Sequence, residues 1–137
     1  MIIGDITNGI VLDHIEAGRG MKVYQALHLE ELSSMVVLIN NAESRHMGRK
    51  DVIKISQFVD IDLDLLGYLA PGVTVSVIRD GEIAVSEDLE LPEKLVNIVK
   101  CKNPRCITSV EQELAHEFRL TNREKRIYRC IYCESEA

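Results

Sequence analysis

Four cysteines near the end of the chain constrain its fold more than any other feature. They form two close pairs, Cys101 with Cys106 in CKNPRC and Cys130 with Cys133 in CIYC, and the 137 residues contain no other cysteine. Two close pairs of thiols, here separated by 23 residues, are typical of a metal ion held in a tetrahedral cage of four sulfur atoms. The spacing therefore predicts one structural zinc ion per chain, bound by these four cysteines.

A zinc ion bound by four thiolates has no open coordination position, so it stabilises a fold and performs no chemistry. The segment that contains the cysteines has about 45 residues, too few to bury a self-sufficient core without a metal. A four-thiolate iron site, a disulfide-bonded pair and a metal-free cluster remain as alternatives that the spacing leaves open.

Strand-like runs rich in β-branched residues alternate with two helix-like stretches before the cysteines. Their order is strand, helix, strand, strand, helix, strand, strand, preceded by a short extra strand. Two helices interleaved with antiparallel strands in this way predict an α+β fold, a ferredoxin-like sandwich with both helices on one face of the sheet. Strands are expected at 1–6, 9–15, 35–41, 51–59 and in a hairpin over 73–85, helices at 21–29 and 60–71, and a loop at 41–50.

A domain boundary is expected near Pro92, which can also begin a helical turn. The boundary separates a first domain, 1–92, from a second domain, 93–137. The second domain is predicted to be a small all-β domain that binds the zinc ion. Its strands or hairpins are expected at 107–120 and 125–133.

The net charge of −6 is unevenly distributed. Residues 1–94 carry 8 Lys/Arg against 16 Asp/Glu, whereas residues 95–137 carry 8 against 6. Two units with different partners are therefore expected. No stretch reaches the ~18 apolar residues that span a bilayer, and the first residues lack the pattern of a signal peptide. We expect a cytoplasmic protein without a membrane partner.

Asp13 and His14 interrupt the apolar run GIVLDHI, where polar side chains cost free energy unless they contact solvent, a partner or a ligand. A surface pair is one interpretation, and recognition of a ribose and a phosphate is the other. The stretch MGRKDVIKI adds Arg49, Lys50 and Lys54, which form either a solvated basic face or an anion site. No glycine-rich phosphate loop is present, and no residues resemble a nucleophile with its base.

These motifs together resemble the regulatory chain of aspartate carbamoyltransferase. The resemblance rests on GIVLDHI, MGRKDVIKI, LAPGVTVSVI, LPEKLVNIVKCKNPRCI and YRCIYCE, which occur in the family's order and cover nearly the whole chain. It implies a chain that is not an enzyme itself and that pairs with a separate catalytic chain in pyrimidine biosynthesis. A nucleic-acid-binding zinc-ribbon protein is the alternative, although the acidic first part disfavours it.

The resemblance also implies the parts of such a chain. The first domain would bind nucleotide effectors such as CTP and ATP and form a homodimer, and the zinc domain would contact the catalytic chain. Two catalytic trimers would then be linked by three regulatory dimers. The implied effector contacts are Asp13 to the ribose, His14 on the phosphate side, Lys54 to the nucleotide, Ile6, Val11 and Ile78 around base and sugar, and Lys50 near the triphosphate or a second nucleotide.

Two positions depart from the family pattern. Ser76 stands where the family usually has an asparagine, and Ser86 where it usually has a phosphate-binding lysine. A charge-assisted hydrogen bond from that lysine is worth ~1.5–3 kcal/mol, which corresponds to roughly a ten- to hundredfold change in affinity. Weakened or altered binding of nucleoside triphosphates is therefore expected.

Overall fold

The computed structural model describes residues 6–137, which divide into two compact units with the boundary between Glu90 and Leu91. Of the strand predicted at residues 1–6, all but Ile6 lies outside the described residues, and Ile6 is buried. No helix within residues 6–137 is long and apolar enough to cross a membrane.

The first unit contains strands and helices in the predicted order, strand, helix, strand, strand, helix, strand, strand. A single 3-10 turn at Leu29–Glu31 follows the first helix. The elements are β1 (Gly9–Glu16), α1 (Gly20–Ala26), β2 (Val36–Ser44), β3 (Gly48–Ile55), α2 (Leu63–Leu69), β4 (Thr74–Arg79) and β5 (Glu82–Asp88).

The five strands form one antiparallel sheet in the order β2-β3-β1-β4-β5. The first four strands and the two helices have the ferredoxin-like arrangement, and β5 extends the sheet by a hairpin that turns at Asp80-Gly81. The predicted α+β sandwich is confirmed. Both residues of the turn have positive φ, 52° and 80°, as a tight hairpin turn requires.

One face of the sheet packs against the helices and forms the core of this unit. Alternate residues of a strand point to opposite faces, so the apolar positions of β1, β3 and β4 meet the apolar sides of α1 and α2. Burial of each such side chain stabilises the fold by about 1.5–3 kcal/mol. The core includes Ile10, Leu12, Val23, Ile53, Ile55, Leu66 and Val75.

The two helices begin in different ways. Asp62 precedes α2 and its carboxylate accepts a hydrogen bond from the Leu65 backbone N–H at 3.2 Å, which is an ordinary N-cap. Arg19 precedes α1 and makes no such side-chain hydrogen bond. A carboxylate from the sheet instead accepts hydrogen bonds from two backbone N–H groups, one just before α1 and one on its first residue.

That carboxylate belongs to Asp51, whose side chain is fully buried. Its Oδ2 accepts hydrogen bonds from the backbone N–H groups of Gly18 (3.0 Å) and Gly20 (2.8 Å), and its Oδ1 from that of Asn41 (2.8 Å). A Cβ atom on residue 20 would lie 2.8 Å from Oδ2, so only glycine allows this approach. Asp51 therefore connects α1 to β3 and β2.

Two β-bulges flank Asp51 in the sheet. In β1, Asp13 and His14 together occupy the space opposite Val52, because Leu12 pairs with Ile53 and the next pair is Ile15 with Asp51. In β2 the register shifts in the same way between Ile39 and Ala42. His14 in the first bulge and Asn41 in the second both have φ of 60°. β-Bulges often change the direction of side chains next to functional sites.

The loop predicted at 41–50 is mostly strand. β2 continues to Ser44 and β3 begins at Gly48, so that only the turn Arg45–Met47 separates them. This end of the hairpin is largely exposed on both faces, so it lacks the alternation of apolar and polar residues that indicates a strand.

The second unit contains a three-stranded antiparallel sheet in the order β6-β7-β8. Its core is small and includes Leu95, Phe118 and Tyr128, and the hydroxyl of Tyr128 donates a hydrogen bond to the Pro92 carbonyl at 2.5 Å. The predicted small all-β domain is confirmed, with one added helical turn. The elements are β6 (Lys94–Val96), α3 (Ile107–Val110), β7 (Glu117–Asn122) and β8 (Ile127–Cys130).

Two local predictions for this unit are wrong. No helical turn begins at Pro92, because residues 94–96 pair with β7 as an edge strand. The first half of 107–120 is not a strand, since a single helical turn follows Cys106. In this turn the Ser109 N–H donates a hydrogen bond to the Cys106 carbonyl at 2.9 Å. The chain turns there to bring Cys106 toward the other thiols.

Replacing Asp51 with alanine leaves three backbone N–H groups without their acceptor, two of them at the start of α1. Each buried unsatisfied group costs about 1–3 kcal/mol, so we expect the free energy of unfolding of the first unit to fall by about 3 kcal/mol or more. Chemical denaturation measures this change. The matched control is Asp60→Ala, an exposed carboxylate whose loss should change stability by no more than about 0.5 kcal/mol. Equal effects of the two substitutions would contradict the role given to Asp51.

Candidate functional site

The four cysteines come together in the second unit although two of them lie in loops. Cys106 precedes α3 and Cys130 ends β8, whereas Cys101 and Cys133 lie outside regular elements. The Sγ atoms of Cys101 and Cys133 are 3.5 Å apart and those of Cys106 and Cys130 are 3.6 Å apart. All four Sγ atoms lie within 4.8 Å of one another.

These distances fit a metal cage and not a pair of disulfides. A sulfur–sulfur bond is about 2.05 Å long, far shorter than either separation. Four sulfur atoms at about 2.3 Å from a tetrahedral metal ion are about 3.8 Å from each other, close to the observed spacing. The donor set, four thiols in a closed arrangement, suits a thiophilic ion with no remaining coordination position.

Neighbouring groups divide the thiols into two kinds. Hydrogen bonds from Ser135 lower the pKa of Cys133 to about 6, and the Thr108 hydroxyl, 3.1 Å from Cys106 Sγ, lowers the pKa of that thiol. Burial raises the pKa of Cys101 to about 12 and also raises that of Cys130. Each close pair thus combines one thiol that ionises readily with one that does not, and metal binding must remove the remaining protons.

Three residues around the cage escaped the sequence-based prediction. Thr108 and Ser135 supply the hydrogen bonds just described, and His116 accepts one from the Cys101 backbone N–H through Nδ1 at 3.1 Å. Only the sequence proximity of Thr108 and Ser135 to Cys106 and Cys133 could have indicated them. Such partners orient metal ligands and are worth about 10–100-fold in affinity.

The residues that the resemblance assigns to an effector site lie in the first unit, on the sheet face opposite the helices. Val11 pairs with Lys54 on one side and with Ser76 on the other, and Ser76 pairs with Ser86. Because these residues are in register, their side chains form one row across four strands. We call this face the open face and this row the serine row.

A cavity of about 420 Å³ occupies the end of the open face nearest the β4–β5 turn. Its size lies in the range of small-molecule sites, which combine apolar walls with a few polar groups. Four of its six lining residues were named from the sequence, and Thr7 and Gly81 were not. The lining consists of Ile6, Thr7, Val11, Lys54, Ile78 and Gly81.

Asp13 lies one row further along the open face and binds Lys50. The Lys50 Nζ is 2.8 Å from Asp13 Oδ1, and the His14 backbone N–H donates to the same carboxylate at 2.6 Å. Burial alone would raise the pKa of Asp13, but the hydrogen bonds from Lys50 and His14 and the charge of Lys50 together lower it below 3.8. The lowered pKa favours the ionised carboxylate, whose two oxygens accept hydrogen bonds from hydroxyl groups.

His14 belongs to a short hydrogen-bonded chain at the same level of the sheet. The Thr74 hydroxyl donates to Asp88 Oδ1 at 2.8 Å and lies 2.9 Å from His14 Nδ1. Since that hydroxyl has a single proton, it accepts from His14, which must carry a proton on Nδ1. Asp13, Thr74 and Asp88 are paired in register across three strands and form a second row parallel to the serine row. We call this second row the aspartate row.

Thr74 is a functional candidate that the sequence did not reveal, and its hydrogen bond connects Asp88 to His14. Ser76 and Ser86, the two positions that depart from the family pattern, bond to each other through their hydroxyl oxygens at 3.2 Å. The structure thus brings together all the predicted effector contacts on one face, and it adds a carboxylate to them.

Comparison with known proteins assigns both halves of the chain to one family. The family model "Aspartate carbamoyltransferase regulatory chain, allosteric domain" matches residues 1–90, and "Aspartate carbamoyltransferase regulatory chain, metal binding domain" matches residues 93–137. The first match covers the unit with the open face, and the second covers the unit with the four thiols.

Individual relatives agree with the family models, and each of three examples is named aspartate carbamoyltransferase regulatory chain. The one from Clostridium botulinum strain Hall is 48% identical over 134 residues, which is 98% of this chain and 92% of the relative. The one from Clostridium acetobutylicum is 47% identical with the same coverage. The one from Bifidobacterium longum is 42% identical over 137 residues, 100% of this chain and 99% of the relative.

Thr108→Val tests the hydrogen bond to Cys106. Loss of the hydroxyl should raise the pKa of that thiol, so we expect metal affinity to fall about 10–100-fold, with a larger deficit as pH decreases because more protons must be displaced. Competition with a chromophoric chelator between pH 6 and pH 8 measures the metal affinity. Thr121→Val is the matched control, since the Thr121 hydroxyl donates to the Ile127 carbonyl. A deficit of the same size in both variants would contradict the interpretation.

Lys50→Met tests the ion pair with Asp13. Without the lysine, two of the interactions that lower the pKa of Asp13 are lost, so this pKa should rise from its value in the unmodified chain. In the unmodified chain the stability that comes from the lowered pKa is present above pH 3.8 and is lost as pH falls through the lower folded value. Carboxyl NMR titration measures the pKa of Asp13. The control is Lys22→Met, which replaces an exposed lysine on α1. An unchanged pKa of Asp13 in Lys50→Met would show that the ion pair does not form in solution.

Proposed function

The chain belongs to the family of aspartate carbamoyltransferase regulatory chains, and we propose that it transmits nucleotide binding to the catalytic chain of that enzyme. Its family is the regulatory chain and not the catalytic chain, as the sequence predicts. The observation that carries the proposal is the match of one family to both units, one with an open ligand-sized face and one with a four-thiol cluster. Membership of this family places the protein in pyrimidine biosynthesis. We place it in the cytoplasm, because thiols stay reduced there.

We propose zinc as the metal, one ion per chain, bound by the four cysteines. The family match and the thiol cluster support a structural metal, and zinc is the usual ion in closed four-thiolate sites of tetrahedral geometry. Its role here is to hold the loops that carry Cys101 and Cys133 against the small sheet. The bound ion supplies no reaction chemistry.

The open face is the proposed effector site. An apolar end formed by Ile6, Val11 and Ile78 suits a nucleoside base, and the ionised carboxylate of Asp13 suits ribose hydroxyl groups. Lys54 lines the same cavity and is the proposed contact to the nucleotide, whereas His14 and Lys50 are the proposed contacts on the phosphate side. CTP and ATP are the effectors that the family suggests, and the acidic groups on this face support weakened triphosphate binding.

The second unit presents an apolar surface beside the thiols that we propose as the contact with the catalytic chain. Ile107 and Val110 on α3 are 49% and 71% exposed, and Ile131 and Tyr132, between two cysteines, are 43% and 47% exposed. Two pairs of exposed apolar side chains, each beside a cysteine in the chain, support a protein interface here. Since they stand on the loops that carry the cysteines, the metal maintains this surface.

Homodimerisation through the first unit completes the proposed assembly, in which three dimers of this chain link two catalytic trimers. The outer strand β5 supports self-association, because all seven of its residues are exposed. Two of them are apolar, Ile83 at 65% and Val85 at 59% exposure. Edge strands with exposed apolar residues tend to pair with another chain.

The nucleic-acid alternative is not favoured. Tyr128, one of the aromatic residues that it requires for stacking on bases, is buried and its hydroxyl bonds to Pro92. Arg123, one of the required basic residues, donates to the Leu91 carbonyl at 3.1 Å. Both side chains thus serve the fold of the second unit.

Removing the metal should dissociate the chain from its catalytic partner before it unfolds the first unit. The contact surface depends on the cage, whereas the first unit has its own core. We expect chelation, or Cys101→Ala, to release free catalytic trimers in analytical ultracentrifugation, while NMR signals of Ile53 and Ile55 stay native. Re-addition of zinc to the chelated chain should restore the complex. An assembly that persists after chelation would contradict the proposed docking surface.

A further inference from the structure

We infer that Thr74 and Asp88 are positioning residues for His14, which they hold in a state that binds a phosphate group only when both of its ring nitrogens carry a proton. Binding of a nucleotide at neutral or higher pH then takes up one proton at His14. This role rests on the proposed effector function of the open face, in which His14 is the contact on the phosphate side.

The hydrogen bonds of Thr74 determine which nitrogen of His14 carries the proton in the neutral ring. An ionised carboxylate is only an acceptor, so the Thr74 hydroxyl gives its single proton to Asp88 Oδ1 at 2.8 Å. The hydroxyl oxygen lies 2.9 Å from His14 Nδ1 and must accept the proton of that nitrogen. A neutral imidazole has one N–H group and one bare nitrogen. The bare nitrogen of neutral His14 is therefore Nε2.

Nε2 is the nitrogen that remains for a ligand. His14 is half-buried, and within residues 6–137 its ring bonds to Thr74 through Nδ1 while no group bonds to Nε2. The oxygens of an ionised phosphate are acceptors, and a bare Nε2 is an acceptor too, so they form no hydrogen bond. A second proton makes Nε2 a donor and the ring a cation, and this form binds phosphate by a charge-assisted hydrogen bond.

The charges around His14 suit a ring that gains a second proton. They lie on three strands, whereas β4 contributes the uncharged Thr74, and they are Asp13 and Glu16 of β1, Lys50 of β3 and Asp88 of β5. Asp13 is paired with Lys50 at 2.8 Å. Glu16 is paired with Arg19 at 3.4 Å. Within the described residues Asp88 has no basic partner and is joined to His14 through Thr74, so its negative charge is available to attract the cationic ring.

The bond between Thr74 and Asp88 is what couples phosphate binding to the proton. A hydroxyl group can donate to a ring nitrogen as well as accept from it. If the Thr74 proton were not held by Asp88, neutral His14 could carry its own proton on Nε2. Such a ring would bind phosphate without gaining a proton.

Titration calorimetry on the full-length, zinc-loaded chain counts the protons, in buffers of different ionisation enthalpy at pH 8. At this pH an ordinary histidine is largely neutral and a phosphate monoester is fully ionised. We expect AMP and CMP to take up about one proton each, and their affinity to fall about tenfold per pH unit between pH 7.5 and pH 8.5, because the protonated ring is lost as pH rises. Adenosine and cytidine lack the phosphate and should take up none.

Two variants remove the coupling at different residues. In Thr74→Val and in Asp88→Ala, neutral His14 is free to carry its proton on Nε2, so proton uptake should fall to near zero and the pH dependence should flatten. A merely structural role would lower affinity and leave the proton count at one. Glu87→Ala is the matched control, since it removes the adjacent exposed carboxylate of β5, which pairs with Val75, and it should keep the uptake of one proton.

Nitrogen-15 NMR of the free chain tests the state of the ring without any ligand. At pH 8 the His14 ring should carry its proton on Nδ1, and His14→Gln identifies its signals among those of the four histidines. A proton on Nε2 would overturn the inference, and so would AMP or CMP that binds without proton uptake, although the effector function would then stand. If neither nucleotide binds at any pH, the effector function fails and the role of Thr74 and Asp88 fails with it.

Discussion

The buried carboxylate of Asp51 is the interaction on which the first unit depends. It binds three backbone N–H groups from two other segments, at the start of α1 and at the bulge of β2. A buried carboxylate is tolerated only when hydrogen bonds replace the water that it loses, so these contacts are obligatory for the fold. Through them one residue of β3 determines where the helix begins and how β2 bends.

The same region of the sheet sets the geometry of the proposed effector site. The bulge in β1 lies opposite Val52, the neighbour of Asp51, and it places both Asp13 and His14 within reach of the open face. A regular strand would point these two consecutive side chains to opposite faces. The bulge therefore converts an Asp-His dipeptide, which would otherwise be divided between core and solvent, into two neighbouring polar groups.

The two units of the chain obtain their stability in different ways. The first has an aliphatic core shared by three strands and two helices, whereas the second has a small core, in which Leu95, Phe118 and Tyr128 are buried, beside four thiols. Ionisation of the thiols is uneven, since hydrogen bonds favour the thiolate of Cys106 and Cys133 and burial disfavours that of Cys101 and Cys130. A bound metal removes this imbalance because it stabilises all four thiolates. The second unit thus combines a small core with a thiol cluster that suits a structural metal.

The sequence by itself determined the order of elements, the ferredoxin-like class and the pairing of Cys101, Cys106, Cys130 and Cys133, because periodicity and spacing are local properties of the chain. The local predictions from the sequence were wrong at 41–50, at Pro92 and in the first half of 107–120. Exposed strand ends and a turn beside a cysteine lie there, and neither gives a periodic pattern of apolar residues. Only the tertiary structure decided that Thr74 and Asp88 join His14, and that Ser76 meets Ser86. Those contacts follow from strand register and from a bulge, and register depends on pairings between residues that lie far apart in the chain.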